Sequence, residues 1–146
     1  MIKKYVLMSL LLSLAFFGLH ANEQVDYEFK GSHFVASYVG CNHDKLANVE
    51  ALKTAFLLAV HACGATVLEA VDYIFPPEGL TMLALLSESH ASIHTYPEHN
   101  ACFIDLFTCG TKCSAENFDR ILREYLEPAE VHANLLPRGE SGMQTH

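Results

Sequence analysis

The sequence predicts an α+β fold: a two-layer sandwich of one antiparallel sheet with two helices on one face. Three observations lead there. Apolar residues alternate with period two in several short runs, turn residues separate those runs, and two stretches switch to helical spacing. The resulting order is a strand, a helix, four strands, a helix and a last strand, which suits helices gathered on one side of a sheet.

The first strand spans Ser32 to Val39, where Phe34, Ala36 and Tyr38 alternate with Val35, Ser37 and Val39. Cys41-Asn42-His43-Asp44 reads as a turn, with Asn42 or Asp44 able to cap a helix. Leu46, Val49, Leu52, Phe56, Leu57 and Val60 share one helical face, and Gly64 marks the helix end. Four β-type segments follow: Ala65 to Phe75, Leu80 to Ser87, Glu88 to Tyr96, and Ala101 to Phe107. Pro76-Pro77-Glu78-Gly79 turns between the first two. Ser114 caps a second helix with Phe118, Ile121, Leu122 and Tyr125 on one face, and Pro128 ends it. Val131 to Leu135 reads as the last strand.

The chain has 146 residues, 51% of them apolar, which bounds it to one domain. That domain runs over residues 31–140, after a polar lead-in at 22–30 and before a tail at 141–146. A net charge of -8 with no Lys/Arg run argues against nucleic acid as a partner, because phosphate binding needs a concentrated basic face. No phosphate-loop or dinucleotide glycine pattern is present. Five cysteines and no C-x-x-C pair argue against a disulfide framework and a structural zinc site. Cys41, Cys63 and Cys102 read as small buried apolar residues, whereas the spacing of Cys109 and Cys113 permits a disulfide without requiring one.

Residues 1–21 read as a signal peptide. Lys3 and Lys4 form a positive start, Tyr5 to Gly18 is an uncharged apolar run, and cleavage is expected after Ala21, although Leu19 is large for its position. That run is short for a transmembrane helix. The expectation is export to the periplasm, with the cytoplasm as the alternative.

The chemistry-bearing stretch is Leu86-Ser87-Glu88-Ser89-His90-Ala91-Ser92-Ile93-His94-Thr95-Tyr96-Pro97-Glu98, followed by Phe107-Thr108-Cys109-Gly110. It offers a hydroxyl, an imidazole and a thiol on neighbouring strands. Ser89 and His94 differ by an odd number, so a regular strand places them on opposite faces and a bulge would be needed to join them. The residues alone leave several readings open. Ser-Glu-Ser also suits a strand edge, His90, His94 and His99 lack the spacing of a metal triad, and Cys109 with His94 as its base would make a cysteine hydrolase.

These strings resemble the processing and catalytic signature of the short bacterial and archaeal S-adenosylmethionine decarboxylases. The likeness includes Gly31-Ser32-His33, Gly64-Ala65-Thr66, Phe75, Pro77, Gly79, Val131-His132 and Arg138-Gly139, and covers residues 31–140. It implies self-cleavage between Glu88 and Ser89. The Ser89 hydroxyl attacks the Glu88 carbonyl to give an ester, loss of the serine α-proton eliminates it, and hydrolysis leaves a pyruvoyl group and ammonia. His94 matches the processing histidine. Thr81 stands where the family usually has a serine assisting the same step.

The resemblance further implies that the pyruvoyl ketone forms a Schiff base with the substrate amine and acts as an electron sink. Cys109 matches the proton donor, a role suited to a thiol, whose ordinary pKa is about 8.5. Phe75 matches the aromatic that stacks on adenine, and Glu98 the carboxylate that holds the ribose. Glu88 is implied in substrate binding. Tyr96 replaces the usual Trp, and Met82 the usual Gly. No metal is implied. The short members dimerise with a site near the interface, so a homodimer of four layers is expected.

The expected function is S-adenosylmethionine decarboxylation, which makes the aminopropyl donor of spermidine synthesis. A pyruvoyl-dependent ornithine or arginine decarboxylase is the alternative within enzymes. An unprocessed binding or regulatory homologue is the alternative outside them.

Overall fold

The structure, a computed structural model, describes residues 29–109 and 112–139. The expected signal peptide, most of the lead-in and the tail lie outside the described residues. The elements in chain order are β1 (Lys30–Val39), α1 (His43–Ala47), α2 (Val49–Cys63), β2 (Val67–Phe75), β3 (Gly79–Leu86) and β4 (Ser89–Tyr96). A 3₁₀ turn at Pro97–His99 precedes β5 (Ala101–Thr108), α3 (Ala115–Leu126) and β6 (Glu130–Gly139).

The strands form a six-stranded sheet in the order β2-β3-β4-β5-β1-β6, with every neighbouring pair antiparallel. Alternation sorts each strand into two faces. Phe34, Ala36 and Tyr38, Leu80 to Leu86 in steps of two, Ala91 and Ile93, and Cys102, Ile104 and Leu106 are buried. They pack against Leu52, Phe56 and Val60 of α2 and Phe118, Leu122 and Leu126 of α3. The Phe118 ring sits edge-on to Phe34 at 6.3 Å and to Phe56 at 6.1 Å, tying both helices to β1. This matches the predicted α+β class.

Three details differ from the sequence expectation. The first helix is two helices, because Asn48 ends α1 and caps α2, its side chain accepting from the Ala51 N–H at 3.3 Å. An Asn side chain competes well for backbone donors, so apolar periodicity continued through a point where the backbone did not. The last strand runs on to Gly139 instead of stopping at Leu135. It carries Pro137 without penalty because β6 is an edge strand. Finally, β4 begins at Ser89, leaving Ser87-Glu88 as a two-residue hairpin turn between the paired Leu86 and Ser89.

The other sheet face is not covered by any described element. It exposes Val71, Tyr73, Leu83, Leu85 and Phe103, with His33, His90, Ser92 and Asp105 among them.

Candidate active site

The eight residues singled out in the sequence fall into two groups at opposite ends of the sheet. Glu88, Ser89 and Cys109 gather at one end. Phe75, Thr81, His94, Tyr96 and Glu98 gather at the other. Ser89 and His94 are five residues apart on β4, about 17 Å in an extended strand. No bulge in β4 joins them, since its register with both neighbours is unbroken. Alternation would put Ser89 on the helix-covered face, but at the strand start, with its positive φ, its Oγ meets His90 Nδ1 and the residue lines a cleft with Phe107, both of the uncovered face.

The Ser89 end is built on the hairpin turn. Two-residue hairpins favour residues that accept positive φ, usually Gly or Asn. Neither is present here, and the positive φ, +150°, falls on Ser89 itself. A serine held there costs on the order of 1–3 kcal/mol, which the surrounding pairing must offset. The turn is gripped from three sides. Ser87 N–H donates to the Thr66 carbonyl at 3.0 Å, and Thr66 N–H donates to the Glu88 carboxylate at 2.9 Å. Cys109 N–H donates to the Glu88 carbonyl oxygen at 3.0 Å, so the carbonyl between Glu88 and Ser89 already has a polarising donor. Burial pushes the Glu88 carboxyl up, but the hydrogen bonds from Thr66 and Ser87 outweigh it and leave its pKa below the ordinary value.

These groups open into a cleft of about 570 Å³, lined also by Gly31, Phe107 and Arg138. The Arg138 guanidinium lies over the Phe107 ring, 4.3 Å from its centroid. Gly31 lets β1 pass close to that ring: a Cβ on it would lie 2.5 Å from Phe107 Cε2. Ser89 Oγ meets the Nδ1 of His90 at 3.1 Å, not His94. Sequence reasoning gave no role to His90, Phe107 or Arg138. The available signals were the outward parity of Phe107 with Asp105 on β5, and the adjacency of His90 to the serine.

At the other end, Thr81 and His94 face each other in the β3–β4 register, and Thr81 Oγ1 contacts His94 Nδ1. The His94 ring meets Phe75 at 5.9 Å and Tyr96 at 4.7 Å. Phe75, His94, Tyr96 and Glu98 line a second cleft of about 420 Å³, with the Pro76–Gly79 turn as its wall. Aromatic rings, an imidazole and a carboxylate make it a fitting seat for a flat, hydroxylated ligand. Among the described residues, no cluster of three or more His, Cys, Asp or Glu is arranged to hold a metal ion.

Comparison with known proteins gives this geometry its setting. Residues 32–139 match the family described as S-adenosylmethionine decarboxylase. The S-adenosylmethionine decarboxylase proenzyme of Brevibacillus brevis is 39% identical over 120 residues, 82% of this chain and 90% of that protein. The proenzyme of Prochlorococcus marinus is 41% identical over 103 residues, covering 70% of this chain and 82% of that one. The crystal structure of the adenosylmethionine decarboxylase from Aquifex aeolicus superposes with a TM-score of 0.72 at 30% identity, over 82% of this chain and 98% of that one. The class these matches define is a carboxy-lyase. The chain belongs to the S-adenosylmethionine decarboxylase family, whose proenzymes are pyruvoyl-dependent.

Proposed function

We propose that this proenzyme cuts itself between Glu88 and Ser89, carries its pyruvoyl group at Ser89, and decarboxylates S-adenosylmethionine in a site shared by two copies of the chain. One observation carries the reading. The full set of expected residues is present, but divided between two ends of one sheet about 17 Å apart along β4. A two-fold pairing of the uncovered sheet faces lays the Ser89 end of each copy against the His94 end of the other. It also buries Leu83, Leu85 and Phe103, which are otherwise exposed.

The residues at the turn fit self-cleavage. Ser89 Oγ is the nucleophile for the Glu88 carbonyl, and the Cys109 N–H stabilises charge on that oxygen as the ester forms and the C–N bond breaks. His94 of the partner subunit, oriented by its Thr81, is the base that takes the Ser89 α-proton, releasing Glu88 as a carboxylate. The pyruvoyl group supplies an electron sink for loss of carbon dioxide. The Cys109 thiol then delivers a proton to the substrate carbon. Phe75 of the partner subunit faces the adenine and the sulfonium, and its Glu98 accepts from the ribose hydroxyls. Ornithine and arginine offer neither an adenine nor a ribose to these two residues. The product serves as the aminopropyl donor of spermidine synthesis.

Intact-mass analysis of reduced protein, with borohydride trapping in the presence of each substrate, tests this. The expected result is two pieces, the one beginning at position 89 lacking a free amino terminus, and trapping by S-adenosylmethionine. An intact chain, or Ser-His-Ala read from a free terminus, overturns the cleavage. Carbon dioxide release from ornithine or arginine instead of S-adenosylmethionine overturns the substrate.

A further inference from the structure

The fold sorts the five cysteines into two pairs and one remainder. All five are free thiols in the structure. Cys63 is the last residue of α2, and its carbonyl accepts from Ser114 N–H at 2.8 Å, which brings the 112–114 segment against the helix end. There the Cys63 and Cys113 side chains come within interaction range of each other. Gly64 makes this approach feasible, since at φ +94° it turns the chain, and a Cβ would sit 3.1 Å from the Lys112 carbonyl. Cys41 follows the Gly40 turn with its N–H on the Asn100 carbonyl at 2.8 Å, two residues before Cys102 on β5, and the two side chains, both in the core, come within interaction range of each other. Cys109 has neither arrangement; it lies at the Ser89 cleft.

We propose that Cys63–Cys113 and Cys41–Cys102 are disulfide sites, while Cys109 stays a thiol. The inference rests on the cleavage reading for its consequence. Cys41 and Cys63 precede the Glu88–Ser89 bond, and Cys102 and Cys113 follow it. Each bridge therefore joins the two pieces that cleavage separates, and either one alone keeps them covalently together. The oxidant is an organic disulfide. The Cys113 thiolate, reachable from the cleft it lines, attacks the carrier's S–S bond and expels one carrier thiol. Cys63 then attacks the mixed disulfide at the Cys113 sulfur and expels the second. The two carrier thiols take up the two electrons and two protons. Cys41 and Cys102 close in the same two steps before burial is complete. Burial, with the Cys63 thiol and the Glu88 carboxylate beside it, holds the Cys113 thiol up at about 11, so little thiolate is present near neutral pH and closure is slow. Because so basic a thiol is a poor leaving group, reopening is slow as well. Pairing Cys113 with Cys63 also denies it to Cys109, four residues away, and leaves the proton donor free.

The test uses the full-length protein expressed and kept under excess oxidised glutathione, with free thiols alkylated before digestion. Peptide mapping should show Cys63 linked to Cys113 and Cys41 linked to Cys102, with the protein lighter by about 2 Da per bridge, and Cys109 in no intrachain bridge. A gel without reductant should show one band where the reduced sample shows two. Cys113→Ser and Cys102→Ser should each keep the single band through the remaining bridge, and the double variant should separate without reductant. A Cys109–Cys113 link, or Cys63 and Cys113 both fully alkylated, overturns the proposal. One band in the reduced sample would count against self-cleavage alone, because the mapping still decides the bridges.

Discussion

Ser89 and Cys109 are set by backbone more than by side-chain contacts. The positive φ at Ser89 and the Cys109 N–H on the Glu88 carbonyl fix the backbone on both sides of the Glu88–Ser89 bond. Cys109→Ala keeps that backbone donor while removing the thiol. It should leave cleavage intact and lower decarboxylation about 10²- to 10⁴-fold, the usual worth of a general acid, as single-turnover assays would show. Unchanged turnover would assign the proton to another group. Glu98→Gln should raise the KM for S-adenosylmethionine about fivefold, since a carboxylate accepts hydrogen bonds roughly 1 kcal/mol more strongly than an amide. At this scale the sequence was informative. Parity put Ser89 and His94 on opposite faces; the register shows no bulge between them, but at the turn the Ser89 Oγ reaches His90 on the uncovered face. It did not reveal that His90 is the imidazole beside Ser89, because adjacency in a strand normally sends side chains apart.

Among the elements, β1 lies between β5 and β6 and brings His33 onto the uncovered face. Its Nε2 is buried without a hydrogen bond among the described residues, 3.7 Å from Asp105 of β5. Burial opposes its protonation, Asp105 favours it, and Arg138 of β6 and His90 of β4 oppose it, so its pKa falls below the ordinary 6.5. The unfolded chain then takes a proton that the folded chain refuses. Stability from this group is complete above about pH 6.5 and is lost as pH falls toward the folded value. His43, whose pKa is raised by the Asn100 side chain and the Pro97 carbonyl, acts in the opposite sense, so the informative quantity is a difference. Melting temperatures between pH 7.5 and 5.5 should fall less steeply for His33→Gln than for the parent. Equal slopes would remove His33 from the account. Strand and helix positions were legible because alternation and helical period are local signals. The break at Asn48 and the neighbours of β1 were not, because a cap and a sheet order depend on contacts distant in sequence.

For the whole molecule, the sequence conveyed the residue inventory but not its division. Eight residues within one short stretch of chain suggest one site, yet strand length carries them to two ends. The shared site is the central claim, and co-expression of two differently tagged variants tests it most directly. Ser89→Ala lacks the nucleophile but keeps His94. His94→Ala lacks the base but keeps Ser89. Each alone should stay uncleaved. Together they form a mixed pair in which Ser89 of one chain meets His94 of the other, and the His94→Ala chain, isolated through the tag of its partner, should be cut between positions 88 and 89 and release carbon dioxide from S-adenosylmethionine. If the His94→Ala chain cuts itself when expressed alone, or stays whole in the mixed pair, the two ends of the sheet are not halves of one site.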